Sequence, residues 1–157
     1  MSDVHATRAG FAAIIGAPNA GKSTLVNRLV GSKVSIVTHK VQTTRFPVRG
    51  VMMHGDAQAV LVDTPGIFRP KRRLDRAMVK SAWAGAEDAD LLVHLVDARL
   101  WAGGREGPSD DQDILARLKE LNLKAVLALN KIDMIERPEL LTIAQRLFAE
   151  GVYSDVM

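Results

Sequence analysis

The sequence predicts an α/β domain: a doubly wound, mostly parallel sheet with one antiparallel edge strand and helices on both faces. Short apolar runs alternate with stretches that are apolar at helical spacing. Two neighbouring strand-like runs are joined by only His54-Gly55-Asp56, which makes them an antiparallel hairpin. Three runs end in polar residues suited to chemistry, Gly16, Asp63 and Asn130. In open α/β sheets, ligands bind at the carboxyl ends of the strands.

The elements follow in order. Residues 1–9 are polar and read as a frayed, flexible start. Phe11 to Ile15 is a buried strand that ends at Gly16. Leu25, Val26, Leu29 and Val30 give residues 21–30 a helical stripe, stopped by Gly31. Residues 32–47 lack a clear period and read as a loop. Val48 to Met53 and Ala57 to Asp63 form the hairpin, and the second of these is apolar enough to be central. A helix over 73–86 carries Leu74, Met78, Ala82 and Ala86. Asp90 to Asp97 is another buried strand. Ser109 and Gln112 stand at capping-box spacing before a helix whose apolar face is Ile114, Leu115, Leu118 and Leu121. Ala125 to Leu129 is the next strand, and Pro138 opens a last helix that Gly151 ends.

Composition fits a single globular domain. The 157 residues are 47% hydrophobic and 25% charged, enough for a core and against bulk disorder. The absence of cysteine excludes disulfides, zinc thiolate sites and cysteine nucleophiles, and fits a reducing, cytoplasmic compartment. No apolar run reaches the length of roughly 18 residues that a transmembrane helix needs. Net charge is only +3, but residues 1–89 hold 13 basic and 6 acidic side chains, and residues 90–157 hold 8 and 12. A basic first half suggests a polyanion partner; a solvated basic face is the plainer alternative.

Gly16-Ala17-Pro18-Asn19-Ala20-Gly21-Lys22-Ser23 matches the phosphate-loop pattern G-x-x-x-x-G-K-[ST], with a strand before it and a helix after it. Backbone N–H groups and the helix N-terminus favour phosphate there. Gly21 lets the backbone approach, Lys22 brings a point charge to the β- and γ-phosphates, and Ser23 brings a hydroxyl to Mg²⁺; Thr24 completes this stretch. Asp63-Thr64-Pro65-Gly66 ends the central strand, where a carboxylate can hold Mg²⁺ and the Gly66 N–H can reach the γ-phosphate. Asn130-Lys131-Ile132-Asp133 selects the base. Guanine offers two adjacent donors, N1–H and N2–H₂, to the two oxygens of Asp133; adenine would set a lone pair against one of them. Asn130 can tie this segment to the phosphate loop, and the Lys131 stem can cover a face of the base. Between these motifs lies Gln42-Thr43-Thr44-Arg45-Phe46, where Thr44, in preference to Thr43, would complete the Mg²⁺ shell in a switch ordered by GTP.

GAPNAGKS, QTTRF, DTPGI and NKID, in this order, resemble the translation-factor-like GTPases of the TrmE–Era–EngA group, with the P-loop GTPase fold. GxPNxGKSTL, VSIVTHKVQTTR and VDTPGIF are most similar to the Era family. TrmE and EngA carry G-[TV]-T-R-D where this chain has Gln42-Thr43-Thr44-Arg45-Phe46. The resemblance implies a GTP-hydrolysing switch that binds GTP/GDP and acts in small ribosomal subunit assembly. Ribosomal RNA would be bound by a C-terminal KH domain, and peripheral membrane association of the parent protein is a further expectation. A KH domain is not read in these residues, and no Ser-Ala pair follows Asp133, where a fifth guanine-binding element would come after a sixth strand. Residues 10–157 therefore read as a C-terminally truncated, monomeric GTPase domain with that strand missing.

Ile67 and Phe68 stand where Ras-like enzymes place a water-orienting Gln, so intrinsic hydrolysis is expected to be slow. Several relatives with an apolar residue there have an Asn at the place of Asn19, and its side-chain oxygen either helps to hold an activating K⁺ or braces the loop. The basic run Arg69 to Arg76 either meets an anionic partner or is a solvated helix start. His94 reads as a packed core histidine, and Trp83 and Trp101 as core residues. Two other classes compete with an enzyme. One is a module that binds nucleotide as a regulatory ligand with little turnover. The other is a plain RNA-binding domain, which leaves Asn130 to Asp133 without a reason.

Overall fold

The computed structural model describes residues 8–31, 48–63 and 73–157. The strands are β1 (Arg8–Ile15), β2 (Val48–His54), β3 (Ala57–Asp63), β4 (Leu91–Asp97), β5 (Ala125–Asn130) and β6 (Tyr153–Val156). The helices are α1 (Lys22–Val30), α2 (Arg73–Glu87), α3 (Ser109–Glu120) and α4 (Arg137–Phe148), with short 3-10 turns at Ala98–Trp101 and Ile132–Met134. The six strands form one sheet in the order β2-β3-β1-β4-β5-β6. Among the described residues only β2, at the edge, runs antiparallel to its neighbour. The expected fold class is borne out.

Alternation along β1 sends consecutive side chains to opposite faces. Ala12 and Ile14 meet Leu61, Leu95 and Val26 of α1. Ala13 and Ile15 pack on the other face with Trp83 of α2, Ile114 and Leu118 of α3, and Ile143 and Leu147 of α4. Both tryptophans are buried, as their sequence context suggests.

Three expectations are corrected. The strand read as Phe11 to Ile15 begins at Arg8, because Arg8–Gly10 pair with Ala57–Ala59 despite their exposure. Backbone pairing needs no apolar side chain. The capping box does not form: Pro108 occupies the N-cap and Ser109 is already the first helical residue. Asp110 and Asp111 in the first turn complement the helix dipole instead. The sixth strand is not missing. β6 lies parallel to β5, with the Met157 N–H donating to the Leu127 carbonyl at 2.8 Å.

Tyr153 of β6 also completes a buried polar cluster. Its hydroxyl lies 2.7 Å from His94 Nδ1. Trp101 Nε1–H donates to Asp111 Oδ2 at 2.9 Å. His94 Nε2 faces Asp111 Oδ1 more loosely, at 3.6 Å. The Tyr153 hydroxyl and His94 Nδ1 share one hydrogen bond, whose direction follows the tautomer of the ring. β4 and β6 thereby meet at His94, and α3 and the 3-10 turn of Trp101 meet at Asp111.

Candidate nucleotide-binding site

The parallel register sets the carboxyl ends of the central strands along one rim. Ile14 of β1 is beside Asp63 of β3, Ile15 is beside His94 of β4, and Asp97 of β4 is beside Asn130 of β5. The segments carrying Lys22, Asp63 and Asp133 all leave the sheet at that rim.

Residues 16–21 turn from β1 into α1. A Cβ on Gly16 would lie 2.6 Å from the Leu95 carbonyl oxygen, so only glycine fits. Gly21 has φ +104°, and a Cβ there would meet Asn130 Nδ2 at 2.6 Å. Asn19 is left-handed at φ 66°, a conformation that Asn tolerates better than most residues. No side chain caps α1 and its first turn holds no acidic residue. Its N-terminal partial positive charge therefore faces the rim without a protein carboxylate in that turn. Lys22 is only 7% exposed. Its ammonium donates to the carbonyls of Gly16, at 3.2 Å, and Ala17, at 2.9 Å. Pro18 and Asn19 are exposed at the lip, Ala20 is buried, and Ser23 and Thr24 lie on the first turn of α1.

At the end of β5, Asn130 Nδ2 donates to the Ala20 carbonyl at 2.9 Å. The Lys131 ammonium donates to the Asn19 carbonyl at 2.7 Å. Lys131 itself is left-handed, at φ 59° and ψ 40°, which for a lysine costs about 1–2 kcal/mol. Ile132 and Asp133 then sit exposed in the 3-10 turn. The tie between this segment and the phosphate loop, inferred from residue chemistry alone, is present in the geometry.

The structure places Asp63 by its backbone, as the last residue of β3. Gln42, Thr43, Thr44, Arg45 and Phe46 lie outside the described residues, as do Thr64, Pro65, Gly66 and Ile67 and the basic residues from Arg69 to Arg72.

Sequence reasoning missed Asp97. Its carboxylate, nearly buried at the end of β4, lies 3.1 Å from the Lys131 ammonium. It also accepts from Arg99 Nη2 at 2.9 Å and Arg99 Nε at 3.1 Å. Burial pushes the Asp97 carboxyl up, but the hydrogen bonds from Arg99 and Lys131, with the charge of Lys131, reverse this and leave it below the usual carboxylate range. The same pairing raises Arg99. The available signal was positional: like Asp63, Asp97 is an acid closing an apolar strand.

Among the described residues no cluster of three or more His, Cys, Asp or Glu side chains forms a cage for a metal. A serine hydroxyl at the start of α1 and the aspartate that closes β3 are hard oxygen donors. They suit a cation brought in with phosphates rather than one caged by protein.

Together the glycine turn, the buried lysine and the loop clasped by Asn130 and Lys131 define a phosphate-loop nucleotide-binding domain. The family of 50S ribosome-binding GTPases matches residues 11–131, and the chain belongs to it. Among curated relatives it is similar to the GTPase Era of Caulobacter vibrioides, 63% identical over 159 residues that span 96% of this chain and 50% of that protein. The GTPase Era of Brucella suis is 61% identical over 140 residues, 89% of this chain and 43% of the relative. A crystal structure of Era with MgGDPNP and nucleotides 1506–1542 of 16S ribosomal RNA superposes with a TM-score of 0.82 at 35% identity, covering 96% of this chain and 50% of that one. An Aquifex aeolicus Era variant bound to GDP·AlF₄⁻ gives 0.80 at the same identity and coverage. The Era-type resemblance read from the motifs is borne out. The chain spans about half the length of these Era proteins.

Proposed function

We propose that the chain binds guanine nucleotide with Mg²⁺ and hydrolyses GTP to GDP, as the G domain of a ribosome-assembly switch. The observation that carries this reading is the pair of bonds from Asn130 to Ala20 and from Lys131 to Asn19, which join the base-reading segment to the phosphate loop at one rim.

In this reading Lys22 turns from the loop carbonyls toward the β- and γ-phosphates, and the start of α1 faces the same charge. Asp133 accepts from guanine N1–H and N2–H₂. The stem of Lys131 covers one face of the base. Mg²⁺, held by Ser23, Asp63 and Thr44, would neutralise charge on the β- and γ-phosphates. By its place in the motif, the Gly66 N–H would reach the γ-phosphate. Ile67 cannot hydrogen-bond a water, so the attacking water must be oriented by backbone, another side chain or a partner.

Asn19 supports a finer statement. Its carbonyl is taken by Lys131, while its side chain stands at the exposed lip of the loop. We propose that this side-chain oxygen, with phosphate and backbone oxygens, holds K⁺ and accelerates hydrolysis. Single-turnover phosphate release, in K⁺ and in Na⁺ at matched ionic strength, tests both statements. Slow release, faster in K⁺, is expected. A rate near the roughly 5–20 s⁻¹ of an activated Ras complex would contradict slow intrinsic turnover. Equal rates in the two salts would remove the K⁺ site.

The Era structure solved with 16S ribosomal RNA supports a role on the small subunit. The family description names the 50S particle, but the Era-type motifs of this chain favour the 16S side. RNA contacts are assigned to a KH-type domain outside residues 10–157, and the chain itself to a cytoplasmic monomer. Among the described residues no helix is long and apolar enough to cross a membrane.

A further inference from the structure

We propose that Asp97 is a positioning residue for guanine-nucleotide retention: its negative charge holds Lys131 in the one backbone and side-chain arrangement that lets the lysine stem lie over the base. This rests on the guanine-nucleotide reading above and deepens it.

Lys131 is left-handed, an unfavourable conformation for a lysine that persists only when its surroundings fix it. Two contacts do so, both at its ammonium. One is the Asn19 carbonyl at 2.7 Å, on the phosphate loop. The other is Asp97 Oδ2 at 3.1 Å, on the neighbouring strand. The carbonyl alone is a neutral acceptor. The carboxylate makes the bond charge-assisted and balances a cation that is itself only 31% exposed. Asp97 is well placed for this because β4 and β5 are in register there, Asp97 beside Asn130, the residue just before Lys131. The line Asp97–Lys131–Asn19 therefore links the base loop to the phosphate loop through a charge, in parallel with the neutral link from Asn130 to Ala20.

Asp97 has a second job. Its Oδ1 accepts from the Arg99 N–H at 3.1 Å and caps the following 3-10 turn. Asp97→Asn separates the two roles, since Asn keeps a capping oxygen and loses the charge. Arg99→Gln removes the other cation and leaves Lys131 as the cation nearest Asp97.

The experiment is stopped-flow dissociation of fluorescent GDP from the full chain, in the wild type, Asp97→Asn, Lys131→Met, the double variant and Arg99→Gln, with far-UV circular dichroism of each. Asp97→Asn should raise the GDP dissociation rate about tenfold. In the Lys131→Met background the same change should add less than about twofold. Arg99→Gln should stay within about twofold of wild type. A dissociation rate unchanged by Asp97→Asn overturns the inference. So does an equal increase in both backgrounds, or an Arg99→Gln effect as large as that of Asp97→Asn. Should Asp97→Asn fail to fold, Asp97→Glu, which keeps the charge, must stay nearer to wild type than Lys131→Met does, or the inference falls. Loss of all saturable GDP binding by the wild type would overturn the functional reading as well. Wild-type binding with an indifferent Asp97→Asn overturns only the role of Asp97.

Discussion

Asn130 and Ala20 lie 110 positions apart in the sequence, yet the Asn130 side-chain amide donates to the Ala20 carbonyl at 2.9 Å. Gly21 makes this approach possible, because a Cβ there would sit 2.6 Å from the same amide nitrogen. Gly21→Ala should therefore push Asn130 away and strain a backbone at φ +104°. A stability loss of about 1–3 kcal/mol is expected in urea unfolding, with GDP binding weakened beyond what the folded fraction explains.

The lowered pKa of Asp97 has a sign that can be worked out. Its folded value lies below the unfolded one of about 3.9, so its contribution is fully present above that pH and is lost as pH falls through the folded value. Urea unfolding measured from neutral to acid pH should show this loss. Asp97→Asn should flatten that limb of the profile.

Tyr153 behaves in the opposite direction. Burial raises its pKa well above the usual value of about 10, and the negative charges of Asp111 and Glu150 add to the rise. Its contribution to stability is complete below about pH 10 and is lost as pH rises through the folded value. It is the one tyrosine of the chain, so tyrosinate absorbance reports it directly. Ionisation should coincide with unfolding, and Tyr153→Phe should flatten the alkaline limb.

Asp111→Ala takes the acceptor from Trp101 Nε1 and the facing carboxylate from His94 Nε2, both buried. Leaving the Trp101 donor unpaired should cost about 1–3 kcal/mol in denaturant unfolding. Nucleotide affinity of the folded fraction should change little, because the cluster sits in the core rather than at the rim.

Much of this architecture was legible in the chain because periodicity reports burial. The stripe of Leu25, Val26, Leu29 and Val30 gave α1, and the three-residue gap at Gly55 gave the hairpin. β6 escaped because Tyr153-Ser154-Asp155-Val156 is short and mixed in polarity; its place is fixed by backbone bonds to β5 and by a tyrosine hydroxyl on His94. His94 could be read as buried, but its partners lie 17 and 59 positions away and leave no local mark. At the site, the glycine and NKID motifs are local in sequence and therefore readable. Asp97 is not, because its role depends on which residue stands beside it on the next strand.

The most direct measurement is a competition titration on this chain, with GDP and ADP each displacing fluorescent GDP in the presence of Mg²⁺. The expected result is displacement by GDP at concentrations about a hundredfold or more below those needed for ADP, as paired hydrogen bonds to a buried base edge require. Equal displacement by the two nucleotides would contradict base selection by Asp133. No displacement by either would contradict a nucleotide site at this rim of the sheet.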